Sequence, residues 1–199
     1  MSDNLNLERV NAIFPNSGNT QINLKLQPRI IQFGTGMLLR ALPDFLIQEA
    51  IDQGRFTGSV VMIKSTSAQV SEFENQNNQY TVLVKGLHCG QQVNKQKIIS
   101  CISRVVSAVN NWRQVLAFAE DPSIDILISN STEAGLVYKA ELFSETDTPS
   151  TFPAKLTRYL YERFTQLGSF DAPGMVILPT ELISDNGKVL LSYVERHAV

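Results

Sequence analysis

The chain has 199 residues, enough to bury a sizeable core in one large domain or two small ones. Its 43% hydrophobic and 18% charged residues fit an ordinary soluble protein, and a net charge of -2 leaves no basic surplus for a phosphate backbone, which argues against nucleic acid as a partner. The polar N-terminus is no secretory signal, no apolar run approaches the roughly 20 residues that span a bilayer, and two cysteines are too few for a disulfide scaffold, so a cytoplasmic protein with no membrane contact is expected.

Residues 1–28 are rich in Asn and Gln and read as an irregular leader. Regular structure is predicted from Arg29-Ile30-Ile31-Gln32-Phe33, a short apolar strand running into Gly34-Thr35-Gly36. Over residues 37–52 apolar side chains recur at helical spacing, with Leu38, Leu42 and Phe45 on one line and Leu39, Leu46 and Ala50 beside it. Pro43 would cost about 3 kcal/mol in a helix interior, so it is expected near a first turn or at a kink. Gly54 ends this helix, and Ser59-Val60-Val61-Met62-Ile63 has the continuous apolar character of a buried parallel strand.

The polar stretch 65–79 carries no clear periodicity. Residues 80–85 and 97–108 both favour strand, and the turn-rich residues 86–96 between them suggest a hairpin. Cys89 and Cys101 lie in this region and read as small buried residues. Asn110 or Asn111 can cap a helix with Trp112, Val115, Leu116 and Ala119 on its apolar face, stopped by Asp121-Pro122. Residues 124–130 read as a strand whose polar end points out. Pro153 opens an amphipathic helix with the stripe Leu156, Tyr159, Leu160, Phe164 and Leu167, closed by Gly168. A last strand over residues 175–178 and a helix capped by Asn186 complete the order. This alternation predicts an α/β fold: a doubly wound, mostly parallel Rossmann-type sheet with an antiparallel hairpin insertion.

Gly34-x-Gly36 follows a strand and opens a helix, the context in which a glycine pair can cradle a pyrophosphate. Leu39 stands where the full fingerprint has its third glycine, so the residues alone leave a nucleotide loop and a plain tight turn both open. At the end of the second strand Lys64-Ser65-Thr66 replaces the acid that commonly holds ribose hydroxyls. Lys64 can accept a 2′-phosphate, lie along the adenine side, or simply be solvated, which leaves NAD and NADP unresolved. Ser129-Asn130-Ser131-Thr132-Glu133-Ala134-Gly135 and Pro179-Thr180-Glu181 end two further strands and bring short polar groups and two acids to the ligand crevice. Glu133 can move a proton or cap a helical turn. His88 and His197 lack ligand spacing, so no metal site is expected.

Taken together, four ordered segments resemble the long-chain polyol dehydrogenases, the mannitol dehydrogenase family, and most closely its tagaturonate reductase branch. They are 29–36 with Leu39-Arg40-Ala41; 129–135; Phe152-Pro153-Ala154-Lys155-Leu156-Thr157-Arg158 with Tyr161-Glu162-Arg163-Phe164; and Leu178-Pro179-Thr180-Glu181-Leu182-Ile183 leading to Asn186-Gly187. The resemblance implies that residues 29–199 form one NAD-binding Rossmann domain, in which Ile31, Gln32, Phe33, Gly34, Thr35, Gly36, Met37, Leu38, Leu39 and Arg40 form the cofactor loop. It places Asn130, Thr132 and Glu133 near the nicotinamide and keeps Lys64 as a candidate on the adenosine side. Arg40 has the plainer reading of a bond to a helix carbonyl or surface acid, and Lys155 that of a lysine solvating its helix face. Thr180 departs from the cysteine often found at its position.

The implied reaction is reversible hydride transfer between a nicotinamide and D-tagaturonate or D-altronate, small sugar-acid substrates. The alternatives are a domain of fructuronate reductase or mannitol 2-dehydrogenase, or a non-catalytic nucleotide-binding module. The family's helical C-terminal domain, with its Lys-x4-Asn-x2-His site, is expected to be absent, because Tyr193 stands five residues after Lys188. No catalytic residue is therefore expected in this chain, which alone would bind NAD and turn over no substrate.

Overall fold

The computed structural model describes residues 26–132, 134–144, 146–168 and 174–199, so nearly all of the predicted leader, and Glu133, lie outside the described residues. Five strands form one sheet: β1 (Pro28–Phe33), β2 (Ser59–Lys64), β5 (Ile102–Ser107), β6 (Ile126–Ser129) and β7 (Val176–Pro179). Their order is β5-β2-β1-β6-β7, and every neighbouring pair is parallel. β3 (Tyr80–His88) and β4 (Gln91–Ile99) form a separate antiparallel ribbon. The expected doubly wound sheet with a hairpin insertion is thus the observed architecture.

The helix predicted over residues 37–52 divides at Leu42 into α1 (Met37–Ala41) and α2 (Pro43–Asp52). Pro43 has no N–H to continue the ladder and starts the second helix instead. The break also re-aims the apolar lines: Leu38, Leu42 and Leu46 are exposed, Leu39 is buried, and the buried side chains of α2 are Asp44 and Gln48. Gly54, with φ at +66°, closes the turn after α2. A short helix, α3 (Ser71–Glu74), stands in the stretch that showed no periodicity.

The predicted second hairpin arm over residues 97–108 is two strands. β4 leaves the ribbon at Ser100, whose N–H bonds the Gln48 side chain at 2.8 Å, and Cys101 then begins the pairing of β5 with β2 through its carbonyl. The turn-rich reading of residues 86–96 also gives way. The ladder runs unbroken to His88↔Gln91, leaving a two-residue turn of Cys89 and Gly90 with φ at +51° and +77°. Two positive φ values match the twist of a tight hairpin. Cys89 is accordingly exposed at the ribbon's tip, not buried; Cys101 is buried as expected.

Strand alternation sorts the core onto two faces. Ile31, Phe33, Val61 and Ile63 point to one face, which is covered by α4 (Trp112–Ala117), α5 (Phe152–Leu167) and α6 (Asn186–His197). Ile30, Val60, Met62 and Ile128 point to the other, covered by α2, Phe73 and the ribbon's base. α5 begins at Thr151, whose hydroxyl accepts from Ala154 N, and ends at Gly168 with φ at +73°. Asn186 does not cap α6: Asp185 holds that position, and the Asn186 amide instead donates to the carbonyls of Pro179 and Glu181.

Candidate functional site

The carboxyl ends of β1, β2, β6 and β7 carry the predicted site residues. Phe33, at the end of β1, is buried against Phe152 and Tyr159, with ring centroids 5.6 and 6.1 Å away. Gly34 then turns sharply, with φ at +125° and its N–H on the Ile63 carbonyl at 2.9 Å. On the other side Asn130 N donates to Phe33 O at 3.1 Å. A Cβ on Gly34 would stand 2.8 Å from Leu39 Cδ1 and 2.9 Å from Asn130 O, so only glycine fits. Gly36 differs: its φ is -66° and a Cβ there would meet nothing within 4 Å. No side chain caps the first turn of α1. The loop is pinned from below and open above.

The predicted loop residues therefore play three roles. Ile31, Phe33 and Leu39 spend their side chains in the core. Thr35, Gly36, Met37 and Leu38 form the accessible rim, with Met37 and Leu38 exposed. Gln32 is wholly buried and faces α2, where its Nε2 donates to Gly34 O at 3.3 Å and to Asp44 Oδ2 at 3.4 Å. Asp44 also accepts the Tyr80 hydroxyl at 2.6 Å. Burial pushes its carboxyl up to about 6, against the lowering pull of the bonds from Tyr80 and Gln32 and of the Arg40 charge. Arg40 lies over the Tyr80 ring at 5.7 Å and accepts that hydroxyl, at 3.5 Å, only through its backbone carbonyl.

Lys64 is neither free nor simply solvated: its Nζ donates to Gln69 O at 2.8 Å and pairs with Glu72 at 2.7 Å. Asn130, half-buried, donates to Thr180 O at 2.8 Å, and Thr132 is exposed. The polar end of β6 points inward at Ser129, which is wholly buried. Its hydroxyl donates to Glu181 Oε1 at 2.8 Å, and Ser131 N reaches the same oxygen at 3.0 Å. Glu181 is thus a buried fastener between β6 and β7. Lys155 is buried, not solvating its helix; burial pulls its ammonium pKa down. It lines a cavity of about 400 Å³ with Ser65, Asn110 and Trp112, beside the ends of β2 and β5. Among the described residues no three His, Cys, Asp or Glu side chains gather as metal ligands.

Asp44 and Tyr80 were not legible as site residues, since an acid in a helix's first turn and a strand aromatic both have ordinary explanations. The one signal was Gln32, a polar residue in an apolar strand.

The model of a family described as the mannitol dehydrogenase Rossmann domain matches residues 28–198. The chain belongs to the mannitol dehydrogenase family. Similar relatives are the altronate oxidoreductases of Halalkalibacterium halodurans, 39% identical over 87% of this chain, and Yersinia enterocolitica, 36% identical over 85%. The name matches the tagaturonate reductase branch that the motifs resemble. The chain spans about a third of these relatives, 34% and 36% of their lengths. Among solved structures, a substrate-free D-sorbitol dehydrogenase aligns with TM-score 0.70 and 19% identity, over 87% of this chain and 38% of that one. A Pseudomonas fluorescens mannitol 2-dehydrogenase, in complex with NAD and D-mannitol, aligns with TM-score 0.70 and 15% identity, over 88% and 38%. These two share the fold. No helix among the described residues is long and apolar enough to cross a membrane.

Proposed function

We propose that this mannitol dehydrogenase domain is the cofactor-binding part of an NAD-dependent enzyme interconverting D-tagaturonate and D-altronate. The observation that carries the reading is the Gly34-Thr35-Gly36 loop, closed below by β2 and β6 and open above Gly36. The name borne by relatives at 39% and 36% identity supports the substrate pair, and the NAD held by the mannitol 2-dehydrogenase of the same fold supports the cofactor. Bound there, NAD supplies the hydride chemistry. The chain's own residues bind and orient it: the open backbone at Gly36 lets a pyrophosphate approach, and Asn130 and Thr132, at the end of β6, are the groups proposed to meet the nicotinamide, with Glu133 assigned to that side by the family resemblance alone. The pairing of Lys64 with Glu72 supports NAD over NADP, because a 2′-phosphate at Lys64 would meet a carboxylate already in place. Glu181 accepts two hydrogen bonds through Oε1, from Ser129 and Ser131, and so ties β6 to the end of β7. The group that takes the alcohol proton is proposed to lie in the further length that the relatives possess.

Fluorescence titration of the chain with NADH and NADPH tests the site. NADH should bind more tightly than NADPH, and Gly36→Val should keep the melting temperature while weakening NADH binding at least tenfold. NADH binding unchanged in Gly36→Val would overturn the assignment. For the substrate, a chimera joining this chain to the remaining length of an altronate oxidoreductase should reduce NAD with D-altronate and not with D-mannitol.

A further inference from the structure

Beneath the loop lies a polar path that binding alone does not explain. It runs from the ribbon to the loop through Tyr80 Oη, Asp44 Oδ2, Gln32 Nε2 and Gly34 O, at 2.6, 3.4 and 3.3 Å. Tyr80 opens β3 and is paired with Ile99 of β4, so the path begins at the ribbon's base. The same face of α2 is also fastened to Lys97 of β4, through Glu49 and Asp52, and to Ser100 just after β4, through Gln48. Three buried polar atoms of the cluster, Gln32 Oε1, Asp44 Oδ1 and Arg40 Nε, have no partner. Each such unsatisfied group costs about 1–3 kcal/mol, so the cluster is held at an expense to stability.

Peptide geometry says what the path holds. A trans peptide is planar, with its C=O and N–H pointing in opposite directions. Anchoring Gly34 O on Gln32 therefore turns the Thr35 N–H away from Gln32 and α2. We propose that Gln32, Asp44 and Tyr80 are positioning residues that hold the Gly34–Thr35 peptide with its N–H toward the nucleotide, so that the ribbon and the protonation of Asp44 set the loop's conformation. This inference rests on the reading of the loop as a dinucleotide site.

With Asp44 ionised, both the Tyr80 and the Gln32 bonds to it are charge-assisted; protonation makes them ordinary neutral ones. The groups facing Asp44 are Gln32 from β1, Arg40 from α1, Tyr80 from β3, and Cys101, which precedes β5 and donates to the Asp44 carbonyl at 3.7 Å. Burial holds the Cys101 thiol well above its usual value, and the Tyr80 hydroxyl is raised too, so neither titrates near neutral pH. Asp44, pushed up to about 6 by burial, is the group proposed to switch. Because the Tyr80 bond favours the carboxylate, losing it must move that midpoint upward.

The decisive experiment follows the backbone amide signals of Gly34, Thr35 and Gly36 by NMR as pH is varied without nucleotide. In the wild-type chain they should shift together with a midpoint near 6. Tyr80→Phe should move that midpoint up, and Asp44→Asn should abolish the step. Loop amides that ignore pH, or a midpoint unmoved in Tyr80→Phe, would overturn the proposal. NADH titration over the same range separates this from the cofactor reading. Affinity should fall about fivefold below the midpoint in the wild type and stay flat in Asp44→Asn. If the amides respond as described and NADH binds at no pH, the cofactor assignment fails while the positioning of the loop stands.

Discussion

The two faces of the sheet are built on different terms. Beneath α4, α5 and α6 the centre of the core is aromatic and aliphatic, with Phe33 wedged between Phe152 and Tyr159, and the buried polar groups Lys155, Arg163 and the Ser129–Glu181 pair stand at its margins. Beneath α2 and the ribbon, apolar residues share the interior with Gln32, Asp44, Gln48 and Ser100, all buried. The first face contributes chiefly the free energy of apolar burial. The second gives up some of that free energy, since desolvated polar groups must be hydrogen-bonded to break even, and in exchange fixes one arrangement of the loop above it.

The sharpest way to break the comparison is on the apolar side. Phe33→Ala should cost about 3–5 kcal/mol in urea unfolding, because it empties a site lined by aromatic rings that cannot collapse inward. A loss as small as that of a surface change would mean that this face is not the chief source of stability. Next comes the loop itself. Gly34→Ala should cost about 1–3 kcal/mol through backbone strain, while Gly36→Ala, in ordinary φ space and with room for its methyl, should leave the melting temperature unchanged. Similar costs at both glycines would erase the distinction between a pinned and an open end.

The smallest effect belongs to the polar face and is read as a slope. The folded state keeps the Asp44 proton up to about 6, whereas the unfolded chain releases it near 3.8. Between those values the folded state binds more protons, so Asp44 makes stability fall as pH rises. The difference between wild type and Asp44→Asn, measured by denaturant midpoints across that window, should show this slope, and none above it. An opposite sign would mean that the buried carboxylate is stabilised by its partners, not penalised.

This division also decided what was legible in the sequence. Elements on the apolar face followed from periodicity, because Leu156 and Tyr159 at helical spacing leave few alternatives. The glycine loop was legible from its place between strand and helix. The second face resisted: the break at Leu42 turned Leu38 and Leu46 outward, and Asp44 reads locally as an ordinary first-turn acid. Ser100 and Cys101 gave no local sign that one extended run would divide between two sheets. What decided it was a side chain 52 residues away, Gln48, taking the Ser100 amide out of the ladder. Likewise, Lys64 looked available because Glu72 reaches it from a helix too short to leave a pattern.

The tight turn of the ribbon has a practical corollary. Cys89 presents its sulfur to solvent at the tip, while Cys101 is sealed in the core with its thiol held firmly protonated. A maleimide dye should therefore attach at a single place without mutagenesis. That makes the native chain its own probe, with a reporter mounted at the far end of the ribbon whose base is linked to the glycine loop through Asp44 and Gln32.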